Sequence, residues 1–221
     1  LHPPKKCQVE VVICYCEEDW KTSDILDYFG TQDIPNVEWT WHPMERTRLM
    51  RRAIGRNEVT KSPRIEDDDF VLFVDADYLF YDNALDQLAE RMTEACIDGP
   101  KIMYPYYVQS TSQEHGDEEI ERCDPPQIIE IDRIKYTTQR IRVAIGGVQY
   151  VPAAIAKHGY LPHSKRYQKT HDTWQQTHED KSYRYWIKQE FGCSSANFHD
   201  IETIYRIRHS KRGRFDKECR L

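Results

Sequence analysis

The sequence lacks any long hydrophobic run, because none of its windows approaches the 18 consecutive apolar residues of a membrane-spanning helix. Its first residues also lack the basic-then-apolar pattern of a secretory leader. We therefore expect neither a membrane span nor a signal peptide, and a cytoplasmic location. The length of 221 residues suits one domain that buries a sizeable core.

An excess of positive charge is missing as well. The net charge of -6 argues against general nucleic-acid binding, which needs a basic face to displace counterions. Basic residues gather only near the end, in RIRHSKRGR at 206–214. The seven cysteines show no zinc spacing, and a disulfide framework is unusual in a chain of this size. Reduced thiols in a cytosolic protein are the interpretation that fits.

Strand and helix patterns alternate through the first half of the chain. Apolar runs and alternation predict strands, and a 3.6-residue period predicts helices, in this order: strand 9–16, helix 22–30, strand 37–42, helix 44–58, strand 70–74 and a helix over about 83–92. The second half adds strands at 101–108, 141–152 and 201–209, a helix at 179–191, and a polar segment at 109–126 that we expect to be a mobile surface loop. Alternating strands and helices predict an α/β protein with an open, mostly parallel central sheet flanked by helices.

Two aspartates follow the third predicted strand, in FVLFVDADYLF at 70–80. Asp75 and Asp77 lie at the carboxyl end of this strand, where ligands bind in open α/β sheets. Carboxylates one residue apart can share a divalent cation, and hard oxygen ligands suit Mg²⁺ or Mn²⁺. The alternative is an ordinary turn or helix-cap pair, since Asp82 and Asn83 already mark a helix start nearby.

A longer stretch around these aspartates, RRAIGRNEVTKSPRIEDDDFVLFVDADYLFYDNALDQL at 51–88, resembles the glycosyltransferases of the GT-A fold, especially the inverting family 2. That family has an Ala-Arg-Asn-like helix end, a polar connection, an apolar strand and then Asp-x-Asp. Arg56 and Asn57 match the Arg-Asn element, with Gly55 in place of the alanine. The resemblance implies a Rossmann-like GT-A fold with a short C-terminal strand and a basic tail.

Three later segments follow the same order as in that family. IGGVQYVPAAIAKHGYLPHS at 145–164 resembles its acceptor-side strand and helix, and THEDKSYRYWIKQEFG at 177–192 resembles its Glu-Asp motif, which opens a helix. IYRIRHS places His209 where many members have a metal-binding histidine. The resemblance implies a single domain over 1–221, with a nucleotide-sugar-binding half at 1–108 and an acceptor-side half with the tail at 109–221.

The resemblance also implies a metal-dependent donor site. Asp77 would bind Mn²⁺ or Mg²⁺ directly, Asp75 would contact the ribose or a metal-bound water within the metal site, and His209 would be the third protein ligand. The ion would stabilise the diphosphate that leaves a UDP-sugar. Lys211 and Arg212 would fold over the diphosphate, although a solvated tail is the alternative for these two side chains.

The remaining implied roles concern the base of the reaction and the nucleotide. Asp180, with Glu179 beside it, matches the aspartate that takes the proton of the acceptor hydroxyl during inversion. Tyr15 and Glu17 would border the nucleotide base, and Arg56 would reach the base or a phosphate. Structural alternatives exist, because acidic residues in a first helical turn and an arginine in a last turn both complement the helix dipole.

Other functions compete for the same motif. An apolar strand followed by Asp-x-Asp is also the nucleophile motif of haloacid-dehalogenase-like phosphatases. A nucleotidyltransferase would have a glycine-rich phosphate loop after the first strand, and CYCEEDWKTSD lacks one. A catalytically degenerate nucleotide-binding module is the non-enzymatic alternative. The acceptor stays open between a carbohydrate, a lipid-linked group and a protein hydroxyl, and Trp174 is a candidate to stack on a sugar ring.

Overall fold

The computed structural model describes residues 2–62, 64–144, 146–173 and 178–210, which fold into a mixture of helices and strands. The strands are β1 (Val9–Tyr15), β2 (Val37–Pro43), β3 (Phe70–Val74), β4 (Tyr78–Phe80), β5 (Lys101–Pro105), β6 (Tyr107–Thr111), β7 (Tyr136–Arg140), β8 (Val148–Pro152), β9 (Ser194–Phe198) and β10 (Ile204–Arg206). The helices are α1 (Trp20–Gly30), α2 (Arg46–Leu49), α3 (Arg52–Val59), α4 (Ala84–Ala95), α5 (Gln113–Arg122), α6 (Ala153–Ala156) and α7 (Glu179–Phe191). The predicted α/β class is confirmed.

The strands of the described residues form three sheets with mixed directions. The parallel pair β1-β2 matches the expected arrangement, while the sheet that carries the site has the order β3-β8-β5-β9. In that sheet β8 is antiparallel to both β3 and β5, and β9 is parallel to β5. The sheet is therefore less parallel than predicted, because β8 begins at a Gly146-Gly147 turn at the carboxyl edge of β3 and runs back along it.

The third sheet, with the order β4-β10-β6-β7, brings the end of the described chain to the aspartates. Strand β10 is antiparallel to β4, and Arg206 is paired with Tyr78. The amide of Ile207 donates a hydrogen bond of 2.8 Å to the carbonyl of Asp77. The sheet thus fixes the position of Arg206 next to the second aspartate of the motif.

Several predicted segments differ from the structure. The strands predicted over 141–152 and 201–209 are shorter than expected, as β8 and β10, and two further segments differ as follows. The segment expected to be a mobile loop contains the end of β6 and helix α5, whose first turn is capped by the Ser112 side chain accepting from the amide of His115. The predicted helix over 44–58 is divided into α2 and α3 by an extended Arg51. The break has a tertiary cause, because the Arg51 side chain turns inward to pair with Glu179.

The main core packs α4 and α7 against the central sheet. The predicted apolar stripe of α4 is confirmed, since Leu88 and Met92 are each 1% exposed. On the other side Tyr183 and Ile187 of α7 are fully buried. Within the described part of the chain, no helix combines the length and apolarity that a membrane crossing requires.

Candidate functional site

The site begins at the carboxyl edge of β3, where two chain segments meet. Val74 is paired with Val148, and the amide of Asp75 donates a hydrogen bond of 2.9 Å to the carbonyl of Gly147. The β-ladder therefore places the first aspartate of the motif directly beside the Gly146-Gly147 turn. This is the edge at which the sequence predicts a ligand.

Two arginines from α3 join Asp75 to Asp180, although these aspartates are far apart in the sequence. Arg52 reaches Asp75 at 3.3 Å and Asp180 at 3.4 Å. Arg56 lies 3.7 Å from Asp75 and donates a hydrogen bond of 3.0 Å to Oδ1 of Asp180. The predicted residues Arg56, Asp75 and Asp180 are thus brought together, and Arg52 is an addition that the sequence did not indicate.

The first turn of α7 approaches the glycine turn so closely that a side chain would not fit there. A Cβ atom built on Gly146 would lie 2.3 Å from both carboxylate oxygens of Asp180. The carbonyl of Gly146 also accepts a short hydrogen bond from Nη2 of Arg56. Glycine is therefore required at this position for the carboxylate and the guanidinium group to meet.

Tyr160 holds Asp180 from the protein interior, and sequence reasoning missed it. Its hydroxyl group donates a hydrogen bond of 2.7 Å to Oδ1 of Asp180. The hydroxyl oxygen of Tyr160 in turn accepts hydrogen bonds from Nη1 of Arg56 at 2.9 Å and from Nε2 of Gln149 at 3.3 Å. Both Tyr160 and Gln149 are completely buried. An aromatic residue at the end of a short helical segment reads as a core residue, so no local signal could have identified it.

The two carboxylates that share the arginines have opposite pKa shifts. Burial raises the pKa of Asp75, and the opposing attraction of Arg52 and Arg56 does not fully compensate for it. Burial also acts to raise the pKa of Asp180, but the charge of Arg56, the hydrogen bond from Tyr160 and the charge of Arg52 together lower it. The site therefore holds Asp180 as the more firmly ionised of the two groups.

Asp77 offers an oxygen that the described protein does not use. Its Oδ2 accepts a hydrogen bond of 3.0 Å from Nε of Arg206. Its Oδ1 is buried and has no hydrogen-bond partner among the described residues. Mg²⁺ and Mn²⁺ commonly bind one or two carboxylates together with substrate phosphates. An unpartnered carboxylate oxygen two residues from the half-buried Asp75 would suit such an ion.

Glu179 is a structural residue, in contrast to its neighbour. Its side chain is 5% exposed, and Oε1 lies 3.2 Å from Nη1 of Arg51. Oε2 accepts a hydrogen bond of 3.1 Å from the amide of Ala53. Since Ala53 lies in the first turn of α3, Glu179 binds one of the free amide groups at the start of that helix. This carboxylate holds the arginine-bearing helix in place and is not directed at the cleft.

The structure does not bring His209 to the aspartates. The side chain of His209 is exposed, and its Nδ1 lies 3.0 Å from the carbonyl of Ser210. Among the described residues no group of three His, Cys, Asp or Glu side chains could hold a metal ion. The predicted phosphate-binding Lys211 and Arg212, and the stacking candidate Trp174, lie outside the described residues.

A cleft of about 2210 Å³ opens beside these residues. Its lining includes residues of β1 and β3 together with Arg52, Arg56 and Asp75. Ligand pockets typically measure roughly 300–1,000 Å³, so a nucleotide would fill only part of this cleft. Tyr15 is half-buried and Glu17 is exposed where β1 ends. Their contact with a nucleotide base stays a prediction.

Comparison with protein-family models, with curated proteins and with solved structures gives no match to this chain. The arrangement of strands and helices places the protein in the α/β class, with mixed sheets. The chemistry of the site follows from its own residues.

Proposed function

We propose that the chain is a metal-dependent GT-A glycosyltransferase, related to the inverting family 2, that moves a sugar from a UDP-sugar to a hydroxyl acceptor. The observation that carries the proposal is the shared use of Arg52 and Arg56 by Asp75 and Asp180 at the carboxyl edge of β3. A carboxylate for the donor side and a carboxylate for the acceptor side thus lie on either side of one pair of guanidinium groups. Inverting sugar transfer needs a base and a stabilised leaving group on opposite faces of the sugar, and Asp180 and Asp75 are candidates for these two sides.

The charge of the site also supports a metal and a diphosphate that bind together. Three carboxylates face three guanidinium groups, so their charges cancel: Asp75, Asp77 and Asp180 with Arg52, Arg56 and Arg206. A divalent cation adds two positive charges, and the diphosphate of a sugar nucleotide adds two negative ones. The pair leaves the site neutral, whereas either component alone would leave an uncompensated charge in a partly buried place.

The residues of the donor side would have two different roles, metal binding and phosphate binding. Asp77, through its unpartnered Oδ1, and Asp75 would hold the ion. When bound, a divalent ion supplies Lewis-acid stabilisation of the departing diphosphate. The side chains of Arg52 and Arg206 are 26% and 35% exposed, so they can turn from their carboxylates to the phosphate oxygens. Guanidinium groups suit this exchange, since they donate to carboxylates and phosphates in the same planar geometry.

Asp180 would act as the base on the acceptor side. Its lowered pKa keeps the carboxylate ionised at neutral pH, so it is ready to accept the hydroxyl proton. An acceptor that displaces Arg52 from Oδ2 removes a nearby positive charge and raises the basicity of that oxygen. Binding of the acceptor and activation of the base are thereby coupled.

A donor screen tests this proposal. Release of the nucleoside diphosphate is measured across UDP- and GDP-sugars with candidate acceptors, in Mn²⁺ and in EDTA. We expect turnover with one UDP-sugar that EDTA removes and Mn²⁺ restores. Phosphate release from a simple phosphomonoester without any nucleotide sugar would instead favour the phosphatase alternative. Thermal stabilisation by UDP with Mn²⁺ but no turnover would favour a binding module.

A further inference from the structure

We propose that Tyr160 is a positioning residue that fixes the rotation of the Asp180 carboxylate, so that Oδ2 is the oxygen presented to the acceptor hydroxyl. This inference rests on the proposed function, because it assigns the atom of Asp180 that takes the proton. It concerns a fully buried side chain that no motif indicated.

The two oxygens of Asp180 have different surroundings. Oδ1 accepts strong hydrogen bonds from Tyr160 at 2.7 Å and from Arg56 at 3.0 Å. Oδ2 is contacted by Arg52 over 3.4 Å, which is longer than an ordinary hydrogen bond. The side chain of Arg52 is 26% exposed and that of Arg56 is 9% exposed. A ligand can therefore reach and replace the contact at Oδ2, but not those at Oδ1.

The direction of the Tyr160 hydroxyl proton is fixed by its other partners. A phenol oxygen has one proton to donate and can accept two hydrogen bonds. The side chains of Arg56 and Gln149 have only protons to offer at the atoms that contact this oxygen, so both donate to it. The single phenol proton is therefore left for Oδ1 of Asp180. Burial raises the pKa of Tyr160, which keeps this proton in place at any physiological pH.

The ring of Tyr160 is held as firmly as its hydroxyl group. It stacks on Tyr183 with ring centroids 4.0 Å apart, and it meets the edge of Phe73 at 5.2 Å. The guanidinium group of Arg56 lies 4.9 Å from the centre of the same ring. A phenol clamped in this way holds its hydroxyl group at a defined point, as a positioning residue must.

The chain offers a matched pair of variants for the test. Tyr160→Phe removes the hydroxyl group that binds Asp180 and leaves the stacked ring. Tyr183→Phe removes the hydroxyl group of the ring that stacks on Tyr160. This hydroxyl group is buried and has no hydrogen-bond partner among the described residues. Both changes delete one oxygen from the same aromatic stack, so a difference between them reports on the hydrogen bond and not on packing.

The readouts are kcat against pH with the UDP-sugar and Mn²⁺ saturating, kcat/KM at neutral pH, the Kd for UDP with Mn²⁺, and the urea midpoint. The groups that face Asp180 are Arg52 and Arg56 from α3, Asp75 after β3 and Tyr160 after α6. With the ion bound, Asp75 stays ionised, so the acid limb of kcat reports Asp180. Loss of a donor to the carboxylate raises its pKa, so Tyr160→Phe should move this acid limb to higher pH. It should also lower kcat/KM at neutral pH by about tenfold or more, the usual scale for a hydrogen bond to a charged group. The Kd for UDP with Mn²⁺ should change less than about twofold.

Tyr183→Phe should keep the wild-type acid limb and a kcat/KM within about threefold of wild type. Equal losses in the two variants, or an acid limb that Tyr160→Phe leaves in place, would overturn the inference. Failure of the proposed function has a different signature, since wild type itself would then show no transfer.

The hydrogen bond can also be followed without activity. The difference in urea midpoint between Tyr160→Phe and Tyr183→Phe should be largest near pH 7 and shrink as the pH falls below 3.8, the ordinary value for the carboxyl. A difference that does not depend on pH would show that Tyr160 does not bind the ionised Asp180, and the inference would fail on this readout as well.

Discussion

The end of β3 and the start of α7 each carry two carboxylates, and in both places the two side chains have different surroundings. At the start of α7, Glu179 is buried with Arg51 at the first turn of α3, while the side chain of Asp180 is 21% exposed and is bound by Arg52 and Arg56. At the end of β3, Asp77 is the more buried of the pair, with its side chain 13% exposed, while that of Asp75 is 32% exposed. At the start of α7, proximity in the sequence therefore does not imply a shared role.

The difference lies in what each carboxylate is bound to. Glu179 uses both oxygens within the protein, one on a guanidinium group and one on a helix amide. Asp77 uses one oxygen on Arg206 and leaves the other without a partner among the described residues. A buried carboxylate with both oxygens engaged stabilises the fold, whereas a buried one with an unused oxygen points to a ligand.

Among substitutions that test this difference between structural and ligand-binding carboxylates, the largest effect is expected at Glu179. Glu179→Ala leaves the buried guanidinium group of Arg51 without its partner and frees the amide of Ala53. Removal of one member of a buried ion pair typically costs 3–5 kcal/mol, so we expect the free energy of unfolding to fall by about that amount. Urea denaturation followed by circular dichroism measures it.

The adjacent carboxylate provides the control for this variant. Asp180→Asn keeps the side-chain volume and a hydrogen-bond acceptor for Tyr160, and Asp75 still pairs with both arginines, so its loss of stability should be about 2 kcal/mol, the scale for hydrogen bonds to a charged group. A loss of stability at Asp180→Asn that equals or exceeds the loss at Glu179→Ala would contradict the division between a structural and a functional member of this pair.

The rate of sugar transfer should depend on Asp180 more directly than the stability of the fold does. Asp180→Asn removes the proposed base, and general-base catalysis is worth about 10²–10⁴-fold, so kcat should fall by that factor with an unchanged Kd for UDP and Mn²⁺. Nucleotide release under saturating donor measures kcat, and calorimetry measures Kd. Retention of more than about a tenth of the wild-type kcat by Asp180→Asn would remove the base assignment.

The fold was predictable where local patterns and the native environment agree. The stripe of α4 predicts its helix, because burial of a single face dictates the spacing of apolar residues. The apolar runs of β1 and β3 predict strands from their short length and β-branched composition, and most of their residues are half-buried. The break between α2 and α3 was not predictable, since it depends on the distant partner of Arg51. The direction of β8 was not predictable either, because pairing direction follows from the path of the chain and not from the composition of the strand.

The site was predictable only in the residues that belong to recognised motifs. Asp75, Arg56 and Asp180 were identified from their places in short patterns, and the structure brings them together. Arg52 and Tyr160 were missed because an arginine on a helix and a tyrosine in a core occur in most proteins. Only the tertiary contacts give them a role.

Asp77, the second carboxylate after β3, can be tested as a metal ligand. Asp77→Asn removes the charge of the proposed metal ligand, so the gain in UDP affinity that Mn²⁺ provides should shrink by at least about tenfold, or 1.4 kcal/mol. Calorimetric titration of UDP in Mn²⁺ and in EDTA gives this gain as a ratio. The matched control is Asp180→Asn, which should keep the full ratio. An unchanged ratio in Asp77→Asn would remove the metal assignment.

The smallest expected effect is an opposite pH dependence of stability in Asp75 and Asp180. The pKa of Asp180 is lowered in the folded protein, so its contribution to stability is present above 3.8 and is lost as the pH falls through the folded pKa. The pKa of Asp75 is raised, so its contribution is greatest below 3.8 and declines as the pH rises through the folded pKa.

The two pH dependences are distinguished by measuring the urea midpoints of two variants and one control. The measurements run from pH 3 to pH 7, a range of about four units that includes the ordinary carboxyl value. Relative to wild type, Asp180→Asn should become less destabilised as the pH falls, because wild type then loses the contribution of the ionised group. Asp75→Asn should gain relative to wild type as the pH rises. Asp24→Asn, at an exposed position of α1, should track wild type. Slopes of the same sign for Asp75→Asn and Asp180→Asn would mean that the shared arginines do not distinguish the two carboxylates, and the division of roles between them would then have no electrostatic basis.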